Sequence, residues 1–257
     1  MSAPYNMMEM MICASARLLE DGRTVAVGTG APCAAAMLAQ KTHAPNLMIA
    51  FEAGGLAPRL SRMPISVGDS CTFYMSDYAA SMAEMMTTCA RGMIDYAFLG
   101  GAQIDQYGNL NSTSVGDYNK PKVRFPGSGG ANDFASLCWR TLIMTVHNRS
   151  RFVEKVEFLT SPGYLGGPGE REEAGLPPNT GPYKIITDLA ILGYGEKSRR
   201  MRLESLHPGV SVDKVRENTG FELSVASDLE ETVPPLPAEL EVLRREVDPE
   251  GLIIGRN

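Results

Sequence analysis

Apolar positions change period several times along the chain. Met7, Met8, Met11, Ile12, Leu18 and Leu19 recur at helical spacing, predicting a helix over 7–19 that Asp21-Gly22 ends. Residues 24–27 (TVAV) read as a short strand running into the turn Gly28-Thr29-Gly30, and 34–40 as a helix. Residues 47–51 (LMIAF) are wholly apolar and of strand length, the pattern of a strand buried on both faces of a parallel sheet. Glu52 follows at once, then Gly54-Gly55. Another helix is predicted over 77–91 with Asp77 as N-cap, followed by strands over 96–99, 141–147 and 156–159. A last helix is predicted over 238–247, with Pro237 where a first-turn proline is tolerated. This βαβ rhythm predicts an α/β fold, an open and mostly parallel sheet flanked by helices.

Two stretches break the rhythm. Residues 102–130 are rich in Gly, Asn, Ser and Asp, and 161–182 in Pro and Gly, with the charged run Glu170-Arg171-Glu172-Glu173 inside. Loops of this length in a compact protein are functional or disordered. The expected organisation is one domain over 1–257 with an elaborated, loop-rich C-terminal third from about 161. Apolar residues at 44 % and charged residues at 21 % supply an ordinary core and argue against disorder. The net charge of −6 argues against a general nucleic-acid binder, although local cations or helix N-termini still accept phosphates. The five cysteines are dispersed without a C-x-x-C pair, which predicts free thiols in a reducing compartment. The three histidines show no metal-ligand spacing, so no metal is expected. No run approaches the ~18 apolar residues of a membrane span, and the Met-rich start has no basic leader. A cytoplasmic location is expected.

Glu52 is the leading candidate for chemistry. A carboxylate directly after a buried strand is expected near the carboxyl edge of the sheet, where open α/β sheets bind ligands. Gly54 and Gly55 let the backbone pass close to a bound group. An ion pair with Arg59 or Arg62 would give Glu52 a structural role instead. Gly127-Ser128-Gly129-Gly130 opens into Ala131-Asn132, and consecutive glycines before a helix aim N–H groups at an oxyanion or phosphate. A tight strand-to-helix connection explains the same pattern. It is neither a P-loop nor a Rossmann fingerprint, and Ser128 lacks the G-x-S-x-G context of a hydrolase nucleophile. Cys33, after Pro32 at a helix start, is either a stabilised thiolate or a buried structural thiol. Residues 101–114 offer amides and hydroxyls to a ligand, but Asp105, Gly108 and Asn109 are also plain turn chemistry.

In combination these segments resemble the β subunit of family I coenzyme A transferases, the glutaconate type in particular. The likeness is carried by 25–30 (VAVGTG), 51–54 (FEAG), 100–114 (GGAQIDQYGNLNSTS), 116–122 (GDYNKPK), 127–132 (GSGGAN), 160–163 (TSPG) and 217–221 (ENTGF). It covers nearly the whole chain; Ala53 departs from the serine of the glutaconate-type motif. The resemblance implies a coenzyme A transferase fold with Glu52 as nucleophile toward an acyl-CoA, passing through a glutamyl anhydride and a glutamyl-CoA thioester. It implies oxyanion and CoA contacts from Gly129, Gly130 and Ala131, and substrate contacts from Gln103, Gly54, Asn132 and Ser128. Coenzyme A enters as a substrate. The implied partner is a homologous α subunit, in a heterodimer that assembles into a heterotetramer or larger, and the exchanged groups are small carboxylic or dicarboxylic acids. A CoA-thioester-dependent decarboxylase or hydrolase on the same two-subunit scaffold is the alternative.

Overall fold

The computed structural model describes residues 4–255. Its contacts divide the chain into two compact units, one formed by residues up to Phe98 and again from Val233, the other by Leu99–Thr232. The limits between these units fall at 98/99 and 232/233. The loop-rich stretch from 161 is an integral part of the second unit.

In the first unit, α1 (Met7–Ala16) starts with a reciprocal cap. Glu9 N–H donates to Asn6 Oδ1 at 3.0 Å and Asn6 N–H donates to Glu9 Oε2 at 2.8 Å. The helix is buried on nearly every side from Glu9 to Ala16. Then follow β1 (Thr24–Ala26), α2 (Ala31–Lys41), β2 (Met48–Ala50), β3 (Gly55–Leu56), β4 (Tyr78–Ala79), α3 (Met82–Ala90) and β5 (Tyr96–Leu99). The strand order is β5-β1-β2-β3-β4. β1 is parallel to both neighbours, while β3 and β4 are antiparallel additions at the edge. Ile49, Phe51 and Leu38 are fully buried in this core.

The helix predicted over 77–91 is shorter at its start. Tyr78 and Ala79 pair with β3, and the N-cap is Ser81, not Asp77: Glu84 N–H donates to Ser81 Oγ and Ser81 N–H to Glu84 Oε2. A strand pairing outcompeted the helical pattern there, and the Ser81-x-x-Glu84 box marks the true start.

The second unit holds β6 (Gln103–Ile104), β7 (Leu110–Asn111), β8 (Ser114–Asp117), β9 (Lys120–Arg124), α4 (Ala131–Leu137), β10 (Arg140–Met144), α5 (Glu170–Glu173), β11 (Gly181–Ile186), β12 (Ala190–Tyr194), β13 (Met201–Leu206), α6 (Val212–Glu217) and β14 (Ser224–Glu231). Its main strands run β14-β13-β12-β11-β10, with β10 parallel to β11, β13 parallel to β14 and β12 antiparallel to both neighbours. The pairs β6–β7 and β8–β9 form separate hairpins. The strand expected over 156–159 is irregular. Three strands beyond 190 were not anticipated. The chain re-enters the first unit as α7 (Pro237–Val242), with Pro237 in its first turn, and ends in a π-helical stretch, Leu243–Val247. The α/β class and the parallel central pairings expected from the hydrophobic pattern are observed.

Candidate active site

Glu52 stands where β2 turns back into β3. The turn is closed by Gly54 N–H donating to the Phe51 carbonyl and Phe51 N–H donating to the Gly55 carbonyl, both at 2.9 Å. Phe51 is fully buried and anchors the turn, whereas Glu52 is half-buried. β1 and β2 are parallel, with Ala26 opposite Ala50. The Glu52 turn and the Gly30 start of α2 therefore emerge from the same carboxyl edge of the sheet.

The two glycines after Glu52 make their close approach to the chain's own backbone. A Cβ on Gly54 would lie 1.9 Å from the Ala80 carbonyl oxygen, and Gly54 sits at φ +120°. A Cβ on Gly55 would lie 1.9 Å from the Thr72 carbonyl oxygen. Ala80 N–H donates to the Gly54 carbonyl at 2.9 Å. Only glycine fits this path, so the sequence Gly54-Gly55 fixes the direction in which Glu52 leaves the sheet. Of the two arginines that could neutralise Glu52, Arg62 is engaged by Asp69 at 2.8 Å. Cys33 in α2 is fully buried and burial pushes its thiol up to about 12, so it is no nucleophile.

The other sequence-predicted residues lie in the second unit, where two hydrogen-bonded clusters meet. In the first, Gln103 is buried. Its Nε2 donates to Glu157 Oε1 and its Oε1 accepts from Asn111 Nδ2, each at 2.8 Å. Glu157 Oε2 accepts the Gly116 N–H at 2.7 Å, and this donor together with Gln103 holds the Glu157 carboxyl below its ordinary range. Asn111 Oδ1 accepts the Thr113 and Ser114 amides, which links this cluster to the next.

The second cluster shapes the glycine loop. Ser112 and Gly127 exchange bonds, Gly127 N–H to the Ser112 carbonyl and Ser112 Oγ–H to the Gly127 carbonyl, both at 3.0 Å. Thr160 Oγ1 accepts the Ser112 N–H and contacts Thr113 Oγ1 at 2.7 Å. Asn132 Nδ2 donates to the Thr160 carbonyl at 2.9 Å. Ser128 closes the loop on itself: its Oγ accepts Asn132 N–H and its carbonyl accepts Ala131 N–H, both at 3.0 Å. The Ala131 amide, expected as a ligand donor, is thus engaged within the loop. Gly129 is exposed with φ +50°, and Gly130 begins α4.

Asp105 and Asn109 do turn chemistry. Asp105 Oδ1 accepts the Tyr107 and Asn109 amides, and Asn109 Oδ1 accepts Gly163 N–H at 2.8 Å, stitching 105–109 to 163–165. Burial outweighs these donors and raises the Asp105 pKa. Arg171 is unexpectedly buried, only 1 % exposed. Its guanidinium donates to the carbonyls of Ala135, Ser136 and Gly163 and to Thr180 Oγ1, which ties the carboxyl end of α4 to the 162–163 loop. Sequence reasoning gave no individual role to Glu157, Thr160, Asn111 or Arg171, although Asn111 and Thr160 lie in segments that carry the resemblance. Arg171 was hidden in a run of charges that reads as solvated, and Glu157 in a segment read as a strand. Among the described residues no group of three His, Cys, Asp or Glu side chains is placed to hold a metal, and no helix is long and apolar enough to cross a membrane.

Known proteins resemble this chain over nearly its whole length. A family model described as Coenzyme A transferase matches residues 8–218. The B subunit of glutaconate CoA-transferase from Acidaminococcus fermentans is 41% identical over 252 residues, covering 95% of this chain and 93% of that protein. The crystal structure of the A. fermentans enzyme superposes with a TM-score of 0.94 at 39% identity over 99% of each chain. The B subunit of 3-oxoadipate CoA-transferase from Pseudomonas knackmussii is also 41% identical, over 93% of this chain and 92% of its own length. More distant is the decarboxylase AibA/AibB, with 26% identity and a TM-score of 0.82 over 96% of each chain.

Proposed function

The chain belongs to the coenzyme A transferase family, and from that membership we propose that it is the catalytic B-type subunit of a heteromeric CoA-transferase with Glu52 as its nucleophile. The observation that carries the assignment is the Glu52 turn. A half-buried carboxylate leaves the carboxyl edge of a parallel sheet in a direction set by two glycines that no other residue can replace.

The reaction follows from carboxylate nucleophilicity. A Glu52 oxygen attacks the thioester carbonyl of an acyl-CoA; the C–S bond breaks, and a mixed acyl–glutamyl anhydride and CoA thiolate result. The thiolate attacks the glutamyl carbonyl and expels the first acid as its carboxylate, leaving a glutamyl-CoA thioester. An acceptor carboxylate attacks that thioester, again forming an anhydride and thiolate, and the thiolate then takes the new acyl group and frees Glu52. Each tetrahedral intermediate places negative charge on an oxygen that needs preorganised donors. Gly129 and Gly130 carry that role in the proposal, in a loop held by Ser128, Asn132 and Thr160. Gln103, whose amide is held between Asn111 and Glu157, is the proposed side-chain contact to the substrate, and Gly54 belongs to the same turn as the reacting carboxylate.

Both of these 41% identical relatives are B subunits, which supports an A-type partner that completes the site. Small dicarboxylic acids are the acceptor class by analogy with glutaconate and 3-oxoadipate, and a cytoplasmic setting fits a reaction on CoA esters. The test uses the two-chain enzyme. Glu52→Gln abolishes CoA transfer while the thermal midpoint stays put, and hydroxylamine traps a modification at Glu52 only after acyl-CoA is added. Full transfer by Glu52→Gln overturns the assignment. Product analysis separates the remaining reading: carbon dioxide release, or turnover without an acceptor acid, would mark a decarboxylase or hydrolase.

A further inference from the structure

A hollow of about 530 Å³ in the second unit, with no glycine-loop residue in its lining, is lined by Arg149, Arg200 and Arg216. The three come from separate segments: the loop after β10, the residue before β13, and α6. Backbone bonds hold two of the segments that carry them. Gly220 N–H donates to the Phe152 carbonyl and Met201 N–H to the Gln106 carbonyl, both at 2.7 Å, which seats the end of α6 and the start of β13 against neighbouring loops. Glu154 and Glu222 line the same hollow, yet among the described residues none of the three guanidiniums forms an ion pair with them or with any other carboxylate. Three exposed guanidiniums against two carboxylates leave the hollow locally net positive in a chain of net charge −6, which favours an anionic ligand there.

We propose that the Arg149–Arg200–Arg216 hollow is a binding site for a phosphoryl group. The planar guanidinium fork matches phosphate oxygens pairwise, and a phosphoryl group brings close to two negative charges to three cations where a carboxylate brings one. The hollow shares Gln106 and Glu154 with a second one of about 730 Å³ that extends to Glu157, the partner of Gln103. The phosphoryl group is therefore carried either by the CoA thioester of the proposed reaction or by a separate phosphorylated ligand. Only the first source rests on the transferase reading.

The experiment uses the chain assembled with its partner and inorganic phosphate as the probe, read by calorimetry. Phosphate binds the native protein and binds the R149Q/R200Q/R216Q variant ~10-fold or more weakly. The single Arg216→Gln variant, on an exposed turn of α6, gives a smaller loss in the same direction and guards against a fold defect in the triple variant. Steady-state kinetics then identify the source. A raised KM for acyl-CoA with an unchanged KM for the acyl-pantetheine thioester assigns the site to the phosphates of CoA. Unchanged KM values for both, with phosphate binding lost, assign it to a separate phosphorylated ligand. Equal phosphate binding by native and variant proteins overturns the site, and acetate binding as tightly as phosphate overturns its phosphoryl chemistry. If native enzyme turns over no acyl-CoA, the transferase reading fails while the phosphate titration still decides the site.

Discussion

Replacing Gly54 with alanine tests how the Glu52 turn is built. The new methyl would sit 1.9 Å from the Ala80 carbonyl oxygen, about half the distance at which carbon and oxygen normally touch, and the neighbour is backbone tied to Gly54 by its own hydrogen bond. The residue also occupies φ +120°, a region open essentially to glycine. Backbone strain of ~1–3 kcal/mol and overpacking of similar size put the loss at ~2–6 kcal/mol, a large share of the ~5–15 kcal/mol that stabilises a typical domain. Gly22 is the matched control. It too has positive φ, +72°, but a Cβ there meets nothing within 4 Å, so Gly22→Ala costs only ~1 kcal/mol. Urea denaturation of both variants, with CoA transfer measured on the folded fraction, separates the two contributions. Gly54→Ala should lose at least ~1 kcal/mol more than Gly22→Ala, and its folded fraction should transfer CoA more slowly, because relief of the clash moves the turn that carries Glu52. Equal losses for the two variants would refute the close-approach argument.

Two further outcomes follow from buried groups of the second unit. His147 lies between Thr187 Oγ1 and Thr219 Oγ1, stacked on Phe152, and burial outweighs the nearby Asp188 to push its pKa from 6.5 down to about 4. The folded state then binds fewer protons than the unfolded state between those values, so its stability is fully present above pH 6.5 and declines as pH falls toward 4, by up to ~3 kcal/mol. The urea midpoint should fall across that window, and fall less in His147→Gln. Arg171→Met leaves the Ala135, Ser136 and Gly163 carbonyls without their shared donor, which should cost ~2–4 kcal/mol in thermal or urea unfolding; a loss below ~0.5 kcal/mol would show that those carbonyls find other partners.

Local sequence determined a good deal of this protein. The unbroken apolar run 47–51 predicted a strand, which is there as β2, although Met48 is exposed where burial on both faces was expected, and the carboxylate and two glycines after it marked the sharp turn at its end. The Asp105-Gly108-Asn109 spacing specified a turn that exists, because an Asx side chain bonds backbone amides two to four residues away without help from distant chain. The combination of short motifs from 25 to 221 identified the coenzyme A transferase family although each alone is weak. What the sequence left undecided depends on contacts between distant segments. Asp77 looked like an N-cap until Tyr78 and Ala79 were taken by pairing with β3, a partner more than twenty residues away. Ala131 looked like a ligand donor until its amide closed on the Ser128 carbonyl. The strands beyond 190 depend on neighbours that stabilise weakly patterned segments. Glu52 shows the division most directly. The chain places a carboxylate after a buried strand, but its direction comes from the Ala80 and Thr72 carbonyls, which sit where a Cβ on either glycine would go, and steric exclusion between such distant segments leaves no periodic mark in a sequence.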